Sequence, residues 1–201
     1  VDVVQLLLAR KEIQINQASK RGATSLSMAC QEGHVKVVNA LLAKKEIQIN
    51  QAANYGETPL FMACQQGHVK VVNVLLAREE IQTNQVNNGG FTPLNMACHN
   101  GHLKVVNVLL ATKEIQINQA DNTGATPLFV ACQYDHMKVV DALLAKKEIL
   151  INQARDDGVT PLHMACQQGH VKVINVLLAR KEIQINQALD NGATPLYAAC
   201  L

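Results

Sequence analysis

Adjacent pairs of aliphatic residues four positions apart form the strongest hydrophobic pattern along this chain. In VKVVNVLLA at 69–77, Val71, Val72, Leu75 and Leu76 fall on one side of a helix and leave Lys70 and Asn73 on the other. The pattern returns at 1–9, 35–43, 103–111, 137–145 and 171–179, each time predicting an amphipathic helix of roughly three turns. A shorter helix is predicted just before it. In TPLFMACQQG at 58–67, Leu60, Ala63 and Cys64 give an i, i+3, i+4 face. Thr58 is placed to cap that helix, Pro59 suits its first position, and Gly67 suits an exit through positive φ.

The second helix is followed by EIQIN, at 12–16, 46–50, 114–118 and 182–186, varied to EIQTN at 80–84 and EILIN at 148–152. Alternating isoleucines make the stretch look β-forming in isolation. Its fixed place after a helix instead makes it a joint, its isoleucines rooting a loop against neighbouring copies and its asparagine fixing the following turn. Everything keeps one period. Glycines fall at 22, 56, 90, 124, 158 and 192, and cysteines at 30, 64, 98, 132, 166 and 200, a step of 34 in both cases. Two helices of this size cannot bury their apolar faces alone, whereas stacked copies share one core. The expectation is an all-α repeat solenoid over 1–201, a single domain of about six 34-residue units. Val1 aligns with Val35 and Leu201 with Gln167, so both ends are expected to cut a repeat of a longer array.

TPLFMACQQGHVKVVNVLL at 58–76 and TPLHMACQQGHVKVINVLL at 160–178 resemble the ankyrin repeat, and the resemblance recurs in every unit. It implies stacked antiparallel helix pairs with β-hairpin-like finger loops, and a concave face and finger tips that bind another protein. His34, His68, His102, His136 and His170 match the family's structural GH histidine, which joins neighbouring loops. Only His163 matches the histidine of TPLH. Two departures stand out: Lys45-Glu46 replaces the glycine that ends helix two, giving 34 residues instead of the commoner 33, and Asp135 replaces the inter-helix glycine. Aspartate enters the left-handed region less easily, so that turn is expected to cost about 1 kcal/mol.

Composition narrows the chemistry. Eighteen basic residues against sixteen acidic ones leave a charge of +2, too balanced for a nucleic-acid grip. The lysine row at 36, 70, 104, 138 and 172 is matched by glutamates at 46, 80, 114, 148 and 182, which describes a solvated surface. No apolar run is long enough to span a membrane. Equivalent points on packed helices lie about 8–10 Å apart, beyond the roughly 4.4–6.8 Å that a disulfide needs. The six cysteines therefore read as free thiols in the inter-helix core, favouring the cytoplasm or another reducing compartment. Cys98-His99 with His102 is the nearest approach to a metal constellation, but Cys98 is expected to point inward and no carboxylate joins the cluster. No catalytic motif, cofactor fingerprint or metal site is expected.

What remains informative is where the repeats disagree, because a solenoid repeats what holds it together and can vary what it shows. Around the glycine, the variable positions include Arg21, Tyr55, Thr123, Asp157 and Asn191, followed by Glu57, Phe91 and Val159. On the first helix they are Phe61, Asn95, Phe129, His163 and Tyr197, with His99 and Tyr134 at its end. All six aromatic residues of the chain belong to this set, and aromatics are enriched in binding hot spots. Phe61 and Phe129 divide evenly between contact and packing. The expectation is a noncatalytic module that binds a protein partner, without nucleic acid or membrane insertion, as a monomer by family resemblance. The near identity of the units also fits a structural spacer, and the cut ends fit a regulatory or targeting segment of a larger enzyme or effector.

Overall fold

A computed structural model of the protein describes residues 2–201. Among them lie twelve helices: α1 (Asp2–Leu8), α2 (Ser25–Gln31), α3 (Val35–Leu42), α4 (Pro59–Gln65), α5 (Val69–Leu76), α6 (Pro93–His99), α7 (Leu103–Leu110), α8 (Pro127–Gln133), α9 (Met137–Leu144), α10 (Pro161–Gln167), α11 (Val171–Leu178) and α12 (Pro195–Ala198). The second helices α3, α5, α7, α9 and α11 are eight residues long, just over two turns and shorter than the three that the pattern suggests. Helices this short are not stable alone, so packing must hold them.

The chain divides into two compact units, one ending at Pro93 and one starting at Leu94. In the first, α2 packs on α3 and α4, α3 on α1 and α5, and α4 on α5. In the second, α8 packs on α9 and α10, α9 on α7 and α11, and α10 on α11 and α12. Each unit is therefore a stack of helix–turn–helix repeats, first helices on first helices and second on second, as in a repeat solenoid. Leu60, Ala63 and Cys64 with Val71, Val72 and Leu75 fill the core of the first unit; Leu128, Ala131 and Cys132 with Val139, Val140 and Leu143 repeat it in the second.

None of the six cysteines forms a disulfide. Burial pushes the Cys30 thiol up to about 12 and those of Cys98 and Cys132 further, so these thiols stay protonated and unreactive. Cys166 is only partly buried and Cys200 is exposed, which departs from the uniform core expected of them. Among the helices, α12 has its principal packing partner in α10 alone, which leaves Cys200 uncovered.

Local chemistry sets the helix ends. Thr58 Oγ1 accepts from Phe61 N at 3.1 Å, and Thr24, Thr126, Thr160 and Thr194 cap their helices in the same way. The turn between the two helices needs glycine for two reasons. Gly33 has φ 69°, and a methyl group built there would stand 2.7 Å from the His68 ring. That ring is held in place because His68 Nε2 donates to the Gln31 carbonyl at 2.8 Å. His136 donates to the His99 carbonyl at 2.9 Å and His170 to that of Gln133 at 3.0 Å, the loop-joining role that the resemblance implies. Asp135 does adopt φ 55°.

The extra residue after helix two is absorbed in two successive tight turns. Lys44 N donates to Leu41 O at 3.1 Å and Ile47 N to Lys44 O at 3.3 Å. Lys44 Nζ then donates to Leu8 O at 2.8 Å, and Lys146 Nζ to Leu110 O at 2.8 Å, satisfying carbonyls at the C-terminal end of the preceding second helix.

EIQIN forms turns and irregular backbone without strand pairing, and its second isoleucine is the deeper root in four copies. Ile15, Ile49, Ile117 and Ile151 are buried, as is Thr83 in EIQTN, while Ile185 is exposed; the first isoleucine is half-buried in every copy except Ile13, which is exposed. The asparagine does not fix its own following turn, as the sequence suggested; it clamps the next repeat. Asn50 Nδ2 donates to Glu80 O at 2.7 Å while Asn50 Oδ1 accepts from Gln82 N at 3.0 Å. Asn16, Asn118 and Asn152 make the same pair of bonds one repeat onward. The partner lies 30 and 32 residues away, which no local turn rule could reveal.

Candidate interaction surface

Between each root and the next first helix the backbone makes a one-turn finger. In finger 2 (53–57), Ala53 N donates to Glu57 O and Gly56 N to Ala53 O, both at 2.9 Å. The same closure forms finger 1 (19–23), finger 3 (87–91), finger 4 (121–125), finger 5 (155–159) and finger 6 (189–193). Gly56 sits at φ 83° in this turn, outside the range of ordinary side chains.

Side chains fasten some fingers further. Asn87 Oδ1 accepts from Gly89 N and Phe91 N at 3.0 Å each. Asp121 Oδ1 accepts from Thr123 N at 2.8 Å, Thr123 Oγ1 at 2.7 Å and Ala125 N at 3.0 Å. In fingers 5 and 6 the acceptor moves two residues on: Asp157 Oδ1 takes Val159 N at 3.2 Å and Asn191 Oδ1 takes Ala193 N at 3.0 Å. Thr123, Asp157 and Asn191 therefore have structural work, although each remains exposed.

The variable residues separate by burial. Arg21, Tyr55, Tyr134 and Tyr197 are exposed, Tyr55 at 70% and Tyr134 at 44%. Glu57, Phe91, His99 and Val159 are half-buried. Phe61, Asn95, Phe129 and His163 are at most 2% exposed, so their side chains offer no accessible surface. The two phenylalanines are packing residues. Phe129 lies among Ala125, Val130 and Met164, with Val159 against them. The Arg155 guanidinium stands 5.3 Å above the Phe129 ring centroid. Arg155 Nε also donates to Asp157 Oδ1 at 3.2 Å, and its Nη2 pairs with Asp157 Oδ2. Hydrogen bonding between the two holds the Arg155 pKa above its ordinary value and the Asp157 carboxyl below its own.

Asn95 and His163 do something the sequence did not signal. From one position of the first helix, Asn95 Nδ2 donates to Ala125 O and His163 Nε2 to Ala193 O, both at 3.4 Å. Thr160 Oγ1 lies 2.8 Å from His163 Nδ1 and donates to it, which fixes the ring. A polar residue between buried leucine and alanine neighbours was the available clue.

His99 and Tyr134 meet, with ring centroids 4.2 Å apart, and Tyr134 lies 6.4 Å from the His136 ring in a stacked arrangement. His99 Nδ1 is shielded from solvent and bonded to nothing among the described residues. No group of three histidine, cysteine, aspartate or glutamate residues is arranged to hold a metal ion among the described residues, and none of their helices is long and apolar enough to cross a membrane.

A family model described as "Ankyrin repeats (3 copies)" matches residues 1–87, 80–155 and 147–201, together spanning the chain. No curated protein matches it at a significant level.

Proposed function

The chain belongs to the ankyrin-repeat family, and from that premise we propose that it binds a protein partner through its finger tips and the exposed ends of its first helices, acting as a monomer. The fold is typical of noncatalytic interaction and scaffold modules. Arg21, Tyr55, Thr123 and Tyr134 are the proposed contacts, with Phe91 and Val159 contributing their exposed edges. The observation that carries this reading is Tyr55: a tyrosine on a finger tip, 70% exposed, that adds nothing to the core. Tyrosine supplies large contact area at little cost in side-chain entropy, which suits a recognition surface. Interior cysteines that form no disulfide, with the Cys30, Cys98 and Cys132 thiols kept protonated by burial, support a reducing compartment for this activity.

The test compares specific partner capture by the wild-type chain with that by a Tyr55→Ala, Phe91→Ala, Tyr134→Ala variant of matched circular dichroism. Loss of the captured species is expected. Unchanged capture would reject this face.

A further inference from the structure

Lateral bonds between fingers thin out along the second unit. In the first unit, finger 2 is tied to finger 1 twice: Asn54 N donates to Arg21 O at 3.1 Å, and Asn54 Nδ2 to Lys20 O at 3.0 Å. Finger 3 is tied to finger 2 the same way, by Asn88 N to Tyr55 O at 2.9 Å and Asn88 Nδ2 to Asn54 O at 3.2 Å. In finger 5 of the second unit this position is Asp156. Its backbone N still donates to Thr123 O at 3.1 Å, but a carboxylate has no hydrogen to give.

The Asp156 side chain keeps the asparagine pose. A methyl group built at Gly124 would meet Asp156 Oδ1 at 2.5 Å, as one at Gly22 would meet Asn54 Oδ1 at 2.5 Å. Asp156 Oδ2 therefore stands where the donating NH2 group stands in finger 2. In finger 6 the position is Asp190, and among the described residues no lateral bond of either kind joins it to finger 5. A gap follows. A methyl at Gly158 would meet only Leu189 Cδ2, at 3.5 Å, whereas one at Gly22, Gly56 or Gly124 would run into the next finger's side chain and backbone at 2.5–2.9 Å.

We propose that asparagine at this position is a lateral latch and aspartate its release, built into fingers 5 and 6 so that they separate and adjust while fingers 1–3 stay fixed. The second unit can then change its finger spacing around an occupant, and the first presents a rigid row. This use rests on the finger-tip reading above; the latch itself does not.

Amide hydrogen exchange of the full chain, without any partner, tests it. Asp156→Asn and Asp190→Asn should slow exchange in residues 155–159 and 189–193 by about threefold or more, the effect of one restored hydrogen bond on local opening. Asn54→Asp should speed exchange in residues 53–57 by a similar factor. Unchanged exchange in both aspartate variants, or an Asn54→Asp chain as slow as wild type, would overturn the latch. So would differences that vanish in about 1 M salt, since screening removes charge repulsion and leaves hydrogen bonding. Because no partner is present, failure here leaves the finger-tip reading standing, and lost capture leaves the latch standing.

Discussion

Asn118 at a finger root and Asn54 at a finger tip both direct their amides to a neighbouring repeat, yet the chain treats the two positions differently. At the root the residue is asparagine in every copy, at 16, 50, 84, 118, 152 and 186. At the tip it runs Lys20, Asn54, Asn88, Asn122, Asp156, Asp190. The root amide donates to one backbone group and accepts from another at once, beside a buried isoleucine, and aspartate or leucine cannot do both. The Asn54 amide at the tip only donates; at Asp156 the backbone bond beside it persists although the side chain has changed, whereas at Asp190 neither bond is made among the described residues. A position with two simultaneous demands is fixed by them; one with a single exposed bond is free to vary.

The largest loss is expected where a core side chain, not a root or a tip, is removed. Phe129→Ala should cost about 3–5 kcal/mol, since it empties a site with 1% exposure and leaves Arg155 without its ring. Chemical denaturation of the purified chain measures this. A loss below about 1 kcal/mol would mean that Phe129 is not the packing residue described.

Asn118→Ala is the next step down. Two bonds to the following repeat disappear and a backbone donor and acceptor lose their partner, so about 1–3 kcal/mol is expected in the same assay. Asn54→Ala at a tip removes one exposed bond and should cost less than about 1.5 kcal/mol. Equal losses for the two would erase the distinction between root and tip.

Much of this was legible in the sequence for a physical reason: a 34-residue period shows which positions answer to the same neighbours. Helix existence, the Thr-Pro starts, the histidine bridges and the strained turn at Asp135 all follow from residue types acting within one or two turns or from the family resemblance. The partners of Asn50, Asn95 and His163 do not, because they lie 30 or 32 residues away and reach backbone atoms that carry no side-chain signature. The burial of Phe61 and Phe129 was equally hidden. A finger tip and a first-helix position vary alike along the chain, and only packing separates Tyr55 in solvent from Phe61 in the core.

Asp135→Gly should act in the stabilising direction, by about 1 kcal/mol, since glycine adopts φ 55° without a side-chain penalty. A higher denaturation midpoint with unchanged slope is the expected result. A lower midpoint would show that the aspartate side chain makes a contact stronger than its strain.

Tyr55→Ala should have the smallest effect on stability, within about 0.5 kcal/mol of wild type, because the ring is 70% exposed and its backbone carbonyl, not its side chain, accepts the bond from Asn88 N. This near-silence is what separates a displayed aromatic from a packed one. Set beside Phe129→Ala in the same denaturation assay, it places two variable aromatics at opposite ends of the stability scale. A Tyr55→Ala loss approaching that of Phe129 would make finger 2 part of the core and leave Tyr134 as the remaining proposed aromatic contact well exposed to solvent.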